Sequence, residues 1–201
     1  MKILGISGSP RLEGTDFAVQ HALNYLSDKC KTDGIECETK YITVARKELN
    51  FCIHCDHCIR KKQGCVHKDS MQEVYGALQW ADGIIMGTPC YNGNVSGQLK
   101  TVMDRCRALF AMDLHAIRDK YGMGISVGGD RNGGQEVALK TIHDFYILNG
   151  ALPVSGGSFG SNLGATFWSR DLGREGVEND TEGARVLKRT LNKFYNELSK
   201  K

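Results

Sequence analysis

Four cysteines fall between positions 52 and 65, spaced Cys52-x2-Cys55-x2-Cys58-x6-Cys65. Thiolates at this one-turn spacing can converge on one inorganic centre from a single short loop, and a fourth returning after a small excursion completes the ligand set of a cubane [4Fe-4S] cluster. The first three positions reproduce the start of the bacterial ferredoxin run. The last gap is six residues rather than three and Val66 stands where that run has proline, so the segment reads as a compact cluster loop set into another fold. Zinc is the rival occupant. Structural zinc usually takes two separated Cys-x2-Cys or Cys/His pairs, and the third cysteine here has no partner pair, although His54, His57 or His67 could replace one thiolate. Disulfides are a third alternative, disfavoured because no apolar signal segment opens the sequence and a reducing, cytoplasmic setting is expected. Cys30, Cys37, Cys90 and Cys106 are scattered on helical or strand patterns and read as small buried hydrophobes.

A chain of 201 residues suits one well-buried domain, expected here over 1–201 with the cluster loop at 46–68. Hydrophobic content of 41% with 24% charged residues is ordinary for a globular protein, and no apolar run reaches membrane-spanning length. A formal charge of +3 with no basic stripe interleaved with aromatics argues against a nucleic-acid partner.

Short β-branched runs alternate with amphipathic helical patterns. Strands are expected at Ile3 to Ser7, Ile35 to Val44, Gly83 to Thr88, Tyr121 to Gly128 and Pro153 to Phe159. Helices are expected from about Thr15 to Gly34, over Ser70 to Trp80, Ser96 to Phe110 and Gln135 to Leu148, and through Leu187, Leu191, Phe194 and Leu198. Five strands alternating with helices predict an α/β, doubly wound parallel sheet with the cysteine loop inserted after the second strand. Such sheets bind ligands at the carboxyl ends of their strands.

Three of those strand ends are unusual. Ser7-Gly8-Ser9-Pro10-Arg11-Leu12-Glu13-Gly14-Thr15 offers hydroxyls, amides and a guanidinium at a helix N-terminus, a phosphate site. It lacks the Gly-x-Gly-x-x-Gly fingerprint and no acidic residue closes the second strand, so a monophosphate such as that of FMN fits better than a dinucleotide. Thr88-Pro89-Cys90-Tyr91-Asn92-Gly93 can lie against a flat ring, with Tyr91 and Asn92 near its polar edge. Gly128-Gly129-Asp130-Arg131-Asn132-Gly133-Gly134 permits close backbone approach to the same ring. The cofactor set expected from these loops is Ser7, Ser9, Arg11, Thr15, Thr88, Pro89, Tyr91, Asn92, Gly93, Gly129, Asp130, Gly133 and Gly134.

Gly8-Ser9-Pro10-Arg11, the stretch from Thr88 to Lys100 with Asp104-Arg105, and Gly128 to Glu136 resemble the NADPH-dependent FMN reductase superfamily; with the cysteine motif the chain is similar to the iron-sulfur flavoproteins. The resemblance implies a flavodoxin-like fold, FMN and one [4Fe-4S] cluster per subunit, and a homodimer or homotetramer in which each cluster lies close to a neighbouring flavin. Where many relatives carry Asn-Thr, this chain has Thr15-Asp16, and Cys90 replaces an apolar residue beside the flavin loop.

A cubane cluster moves one electron at a time whereas FMN holds two, so the pair couples one-electron and two-electron partners. The expected function is electron transfer from a ferredoxin-like carrier to a small-molecule acceptor. The alternatives are an NAD(P)H-dependent FMN or quinone reductase with a structural, zinc-bound cysteine loop, and a redox or metal sensor without turnover. The run Arg60-Lys61-Lys62, inside the cysteine loop, reads either as solvated charge or as a steering patch for an acidic carrier.

Overall fold

The computed structural model describes residues 1–157 and 159–200. Five parallel strands in the order β2-β1-β3-β4-β5 build its sheet: β1 Lys2–Ser7, β2 Glu38–Thr43, β3 Gly83–Pro89, β4 Tyr121–Gly128 and β5 Leu152–Pro153, with a sixth strand, β6 Ala165–Trp168, also paired to β4. Strands β3 and β4 are almost wholly buried, as strands covered by helices on both faces must be. One face packs Leu4, Ile6, Ile84 and Met86 against α3 Met71–Trp80, α4 Gly97–Arg105 and α6 Gln135–Leu148. The other packs Ile3, Ile85, Met123 and Ile125 against α1 Gly14–Thr32 and α8 Thr181–Leu198. The short helices α2 His57–Lys61, α5 Arg107–Met112 and α7 Gly173–Glu178 complete the chain.

Two expectations need correction. The strand expected over Pro153 to Phe159 pairs with β4 only at Leu152–Pro153; Ile125 to Gly128 of β4 pair instead with Ala165 to Trp168. The reason is local: Gly156-Gly157 follows after Val154-Ser155, Gly157 has φ +76°, and Phe159 is 92% exposed, so the segment leaves the sheet and a later one completes the edge. Ser158, within that expected strand, lies outside the described residues. The helix expected over Ser96 to Phe110 is two, with Cys106 between α4 and α5. That break starts a fresh helix at Arg107, and it is here that Arg105 and Arg107 meet the cysteine loop.

Candidate functional site

The carboxyl ends of β1, β3 and β4 meet α1 at a cleft of about 210 Å³ lined by Ser9, Arg11, Glu13, Gly14, Thr15, Pro89, Cys90, Tyr91, Val127, Gly129, Ser169, Asp171 and Gly173. Its floor is fixed by backbone bonds. Gly8 donates its N–H to Gly87 O (2.8 Å), and Ser96 Oγ donates to Gly8 O (2.5 Å) while accepting from Leu99 N (3.1 Å), so the residue capping α4 also holds the first loop. A Cβ at Gly8 would stand 2.6 Å from Leu99 Cβ, so only glycine lets the loop lie this close to α4.

At the other wall Glu13 sits at the N-cap of α1 with no side-chain cap, and the first helical bond runs from Phe17 N to Glu13 O. The amides of the first turn therefore have no intrahelical acceptor and face the cleft as anion donors. Arg11 is exposed, and no ion pair engages its guanidinium among the described residues. Ser7 Oγ is buried without a hydrogen-bond partner. A free guanidinium, the hydroxyls of Ser9 and Thr15 and uncapped amides suit a phosphate monoester, and the donor chemistry fits FMN; Ser7 is not part of the cleft lining. Two carboxylates, Glu13 and Asp171, share the cleft and oppose an anion there.

Of the residues expected from sequence, Ser9, Arg11, Thr15, Pro89, Tyr91 and Gly129 come together at the cleft. Ser9 Oγ accepts the Arg11 N–H (3.1 Å), so its hydroxyl already shapes its own loop. Thr88 is fully buried; its hydroxyl donates to Pro89 O (2.9 Å) and accepts from Ser96 N (3.0 Å), which makes it a brace of the loop. Asn92 and Gly93, at φ 51° and 75°, form the two-residue turn of the Tyr91–Asn94 bridge. Asp130, Gly133 and Gly134 lie in the adjoining loop rather than in the cleft wall. That loop is tied down: Cys90 Sγ donates to Gly133 O (3.0 Å), Gln135 Nε2 to Asp130 O (2.5 Å) and Arg131 to Asp180 (2.7 Å). A Cβ at Gly134 would meet Gly93 Cα at 2.7 Å, so the two loops touch backbone to backbone. Asp16 is turned aside, accepting from Tyr41 Oη and from Gln20 Nε2 (2.7 Å). Burial, and then the Asp16 carboxylate, raise the Tyr41 phenol above its ordinary range, and burial raises the Cys90 thiol.

Ser169, Asp171 and Gly173 were not foreseen. They follow β6, whose displacement from the expected fifth strand hid the fact that a further strand end reaches the cleft. Ser169 is pinned there by its N–H and hydroxyl, both donating to Gly128 O (2.8 and 3.1 Å).

All four cysteines of the loop are free thiols; Cys52 is exposed, and Cys55, Cys58 and Cys65 are half-buried. The backbone turns through left-handed conformations at His54, Asp56, Lys62 and Gly64, which curls a short segment back on itself. Among the described residues no three His, Cys, Asp or Glu side chains stand together as a metal-binding group. The donors nonetheless suit an iron-sulfur centre in kind and number: four unpaired thiols within one loop, with Cys58 and Cys65 seated against the core. A larger groove of about 560 Å³ between α4, α5 and α6 is lined by apolar Met103, Phe110, Leu114, Phe145 and Leu148 together with polar side chains that include Lys100, Asp104, Arg107 and Asp144.

The chain matches the model of the NADPH-dependent FMN reductase family over residues 1–166. It is 63% identical to an iron-sulfur flavoprotein of Methanocaldococcus jannaschii, covering 100% of this chain and 98% of that one. It is 54% identical to an iron-sulfur flavoprotein of Archaeoglobus fulgidus over 98% of this chain and 97% of that one, and 35% identical to one of Methanosarcina thermophila over 98% and 95%. Among solved structures, an NADH:FMN oxidoreductase in its apo form aligns with a TM-score of 0.65 at 20% identity, covering 100% of this chain and 91% of that chain. A WrbA-like flavodoxin from Agrobacterium tumefaciens aligns with a TM-score of 0.57 at 19% identity, over 96% and 98%. At such identities the likeness bears on the fold.

Proposed function

We propose that this chain, which belongs to the NADPH-dependent FMN reductase family and within it to the iron-sulfur flavoproteins, transfers electrons between a ferredoxin-like one-electron carrier and a small acceptor, using FMN and a [4Fe-4S] cluster. The observation that carries this reading is a second redox-competent donor set, four free cysteines on one loop, in a chain whose strand ends already form a cleft with the donors of a flavin phosphate site. FMN supplies two-electron storage with one-electron steps, and the cluster supplies one-electron exchange.

The residues of the chain do the binding and positioning. Arg11, Thr15 and the uncapped amides of α1 hold the phosphate, with Ser7 and Ser9 behind them; Glu13 and Asp171 set how tightly. A cleft of about 210 Å³ is small against the roughly 300–1,000 Å³ of a typical ligand pocket. It would take the phosphate end, and the Pro89 to Gly93 and Gly129 to Gly134 loops beside it would hold the ring. Cys52, Cys55, Cys58 and Cys65 hold the cluster, and no acid-base triad is required for electron transfer. A homodimer or homotetramer, in which a neighbouring subunit's cluster approaches each flavin, belongs to the same reading.

Anaerobic mixing of the cofactor-loaded protein with reduced ferredoxin, or with NADPH, separates this reading from the reductase alternative. Bleaching of the oxidised flavin band by ferredoxin, much faster than by NADPH, is the expected result. Rapid reduction by NADPH with ferredoxin inert would move the chain to the reductase class, and no reduction by either would favour a sensor.

A further inference from the structure

Among the described residues Arg105 is the largest fully buried side chain, 1% exposed, and a charged one. Its guanidinium reaches across the base of the cysteine loop. Nη1 donates to Asn50 O (2.5 Å) and to Asp69 Oδ2 (2.8 Å), and Nη2 donates to Asp69 Oδ1 (3.0 Å). Asp69 in turn accepts from Asn50 N (3.0 Å), Asn50 Nδ2 (3.3 Å) and Met71 N (3.2 Å). Both backbone groups of Asn50 are thus fixed to residues outside its own strand of loop, and residues 50 and 69 are held together around the segment that carries all four cysteines. Tyr75 Oη donates to Arg105 O (3.0 Å), fixing the backbone from which the guanidinium projects. One donor is unspent: Arg105 Nε is buried and makes no hydrogen bond.

A buried ion pair often serves no better than apolar residues of the same volume, so its presence calls for a reason beyond stability. We propose that Arg105, locked to Asp69, is the positioning residue of the cysteine centre: it closes the 50–69 loop at its base and so holds together the two ends of the segment that carries the four cysteines. The role rests on the reading that this loop holds an iron-sulfur centre, whose ligands the surrounding residues must hold in place.

Two variants of the full chain test it. Arg105→Lys keeps the charge and loses the planar fork. Arg105→Met with Asp69→Leu keeps an apolar filling and loses every tie to Asn50. Trypsin cleavage after Arg60, Lys61 and Lys62, followed by mass spectrometry before metal loading, reads loop closure; iron and sulfide after anaerobic reconstitution read the centre; FMN affinity is the control for folding. Expected are FMN affinity within twofold of the parent, loop cleavage at least tenfold faster, and iron and sulfide below half. Cleavage and iron content within twofold of the parent in both variants would overturn the proposal. Loss of FMN binding alongside would also overturn it, since Arg105 would then serve the whole fold. If the parent itself takes up no iron and sulfide, the electron-transfer reading fails, and the cleavage rates alone decide whether Arg105 closes the loop.

Discussion

Arg11→Ala removes the only free cation in the proposed phosphate set. In the apo chain the side chain is exposed and unpaired among the described residues, so the fold should lose no more than about 0.5 kcal/mol. Binding is another matter. A hydrogen bond to a charged group contributes about 1.5–3 kcal/mol, and a guanidinium on a phosphate is of that kind. The neighbours of Arg11 push the effect toward the upper part of the range, because Glu13 and Asp171 line the same cleft and would face the dianion with only the α1 amides to offset them. At 1.4 kcal/mol per tenfold, the upper part of that range, about 2.25–3 kcal/mol, weakens FMN affinity by about forty- to a hundred-and-fortyfold. Titration of the apo-protein with FMN, followed by quenching of flavin fluorescence, measures this directly; unfolding curves of the two apo-proteins should coincide. An unchanged dissociation constant would refute the phosphate site at α1.

Cys58→Ala should abolish the iron-sulfur centre while FMN still binds, because Cys58 belongs to the loop and the flavin cleft is built from other elements; a four-iron centre surviving in iron and sulfide analysis would remove Cys58 from the ligand set. Lys61 and Lys62 are exposed, whereas Arg60 Nη2 is engaged by Cys55 O (2.6 Å), so the steering charge rests on the two lysines. Lys61→Glu with Lys62→Glu should slow flavin reduction by ferredoxin at low salt and leave reduction by dithionite unchanged, the difference vanishing as screening shortens to about 10 Å near 0.1 M salt; identical salt profiles in stopped-flow traces would make the run ordinary surface. Burial opposes the charge of Asp69, but the Arg105 fork and the Asn50 and Met71 amides overcome it and hold the carboxyl well below its usual range. A depressed folded-state value means stability that is fully present above the unfolded carboxylate pKa of about 3.9 and is lost as pH falls toward the folded one. Asp69→Asn should therefore destabilise the apo-protein by about 3–5 kcal/mol at pH 7 and flatten its stability between about pH 5 and pH 2, as read by denaturant unfolding.

Where packing is strictly periodic, the sequence and structure agree. Tyr121 to Gly128 and Gln135 to Leu148 are found at their expected bounds, because the burial of one strand and the Asn149-Gly150 stop of one helix are written locally. The fifth strand was misplaced because Pro153 to Phe159 has strand-like residues at its start but glycines where the sheet edge must be left. The true continuation, Ala165 to Trp168, is only four residues long and is selected by pairing with β4. Three loops at three strand ends located the cleft, since that depends on topology alone. Which residues face it followed only in part from sequence: Ser9, Arg11, Thr15, Pro89, Tyr91 and Gly129 line it, whereas Thr88 is consumed by Pro89 and Ser96, and Ser169 and Asp171 arrive from the misplaced edge. Arg105 was visible only as part of a resemblance, because its partners Asn50 and Asp69 are separated from it by 55 and 36 positions.

The most direct measurement is chemical analysis of the anaerobically purified chain for iron, acid-labile sulfide, zinc and FMN, with a visible spectrum. About four iron, four sulfide and one FMN per chain, with broad absorption near 400 nm, is the predicted composition. FMN with stoichiometric zinc, or FMN with neither iron nor sulfide after anaerobic reconstitution, would contradict it.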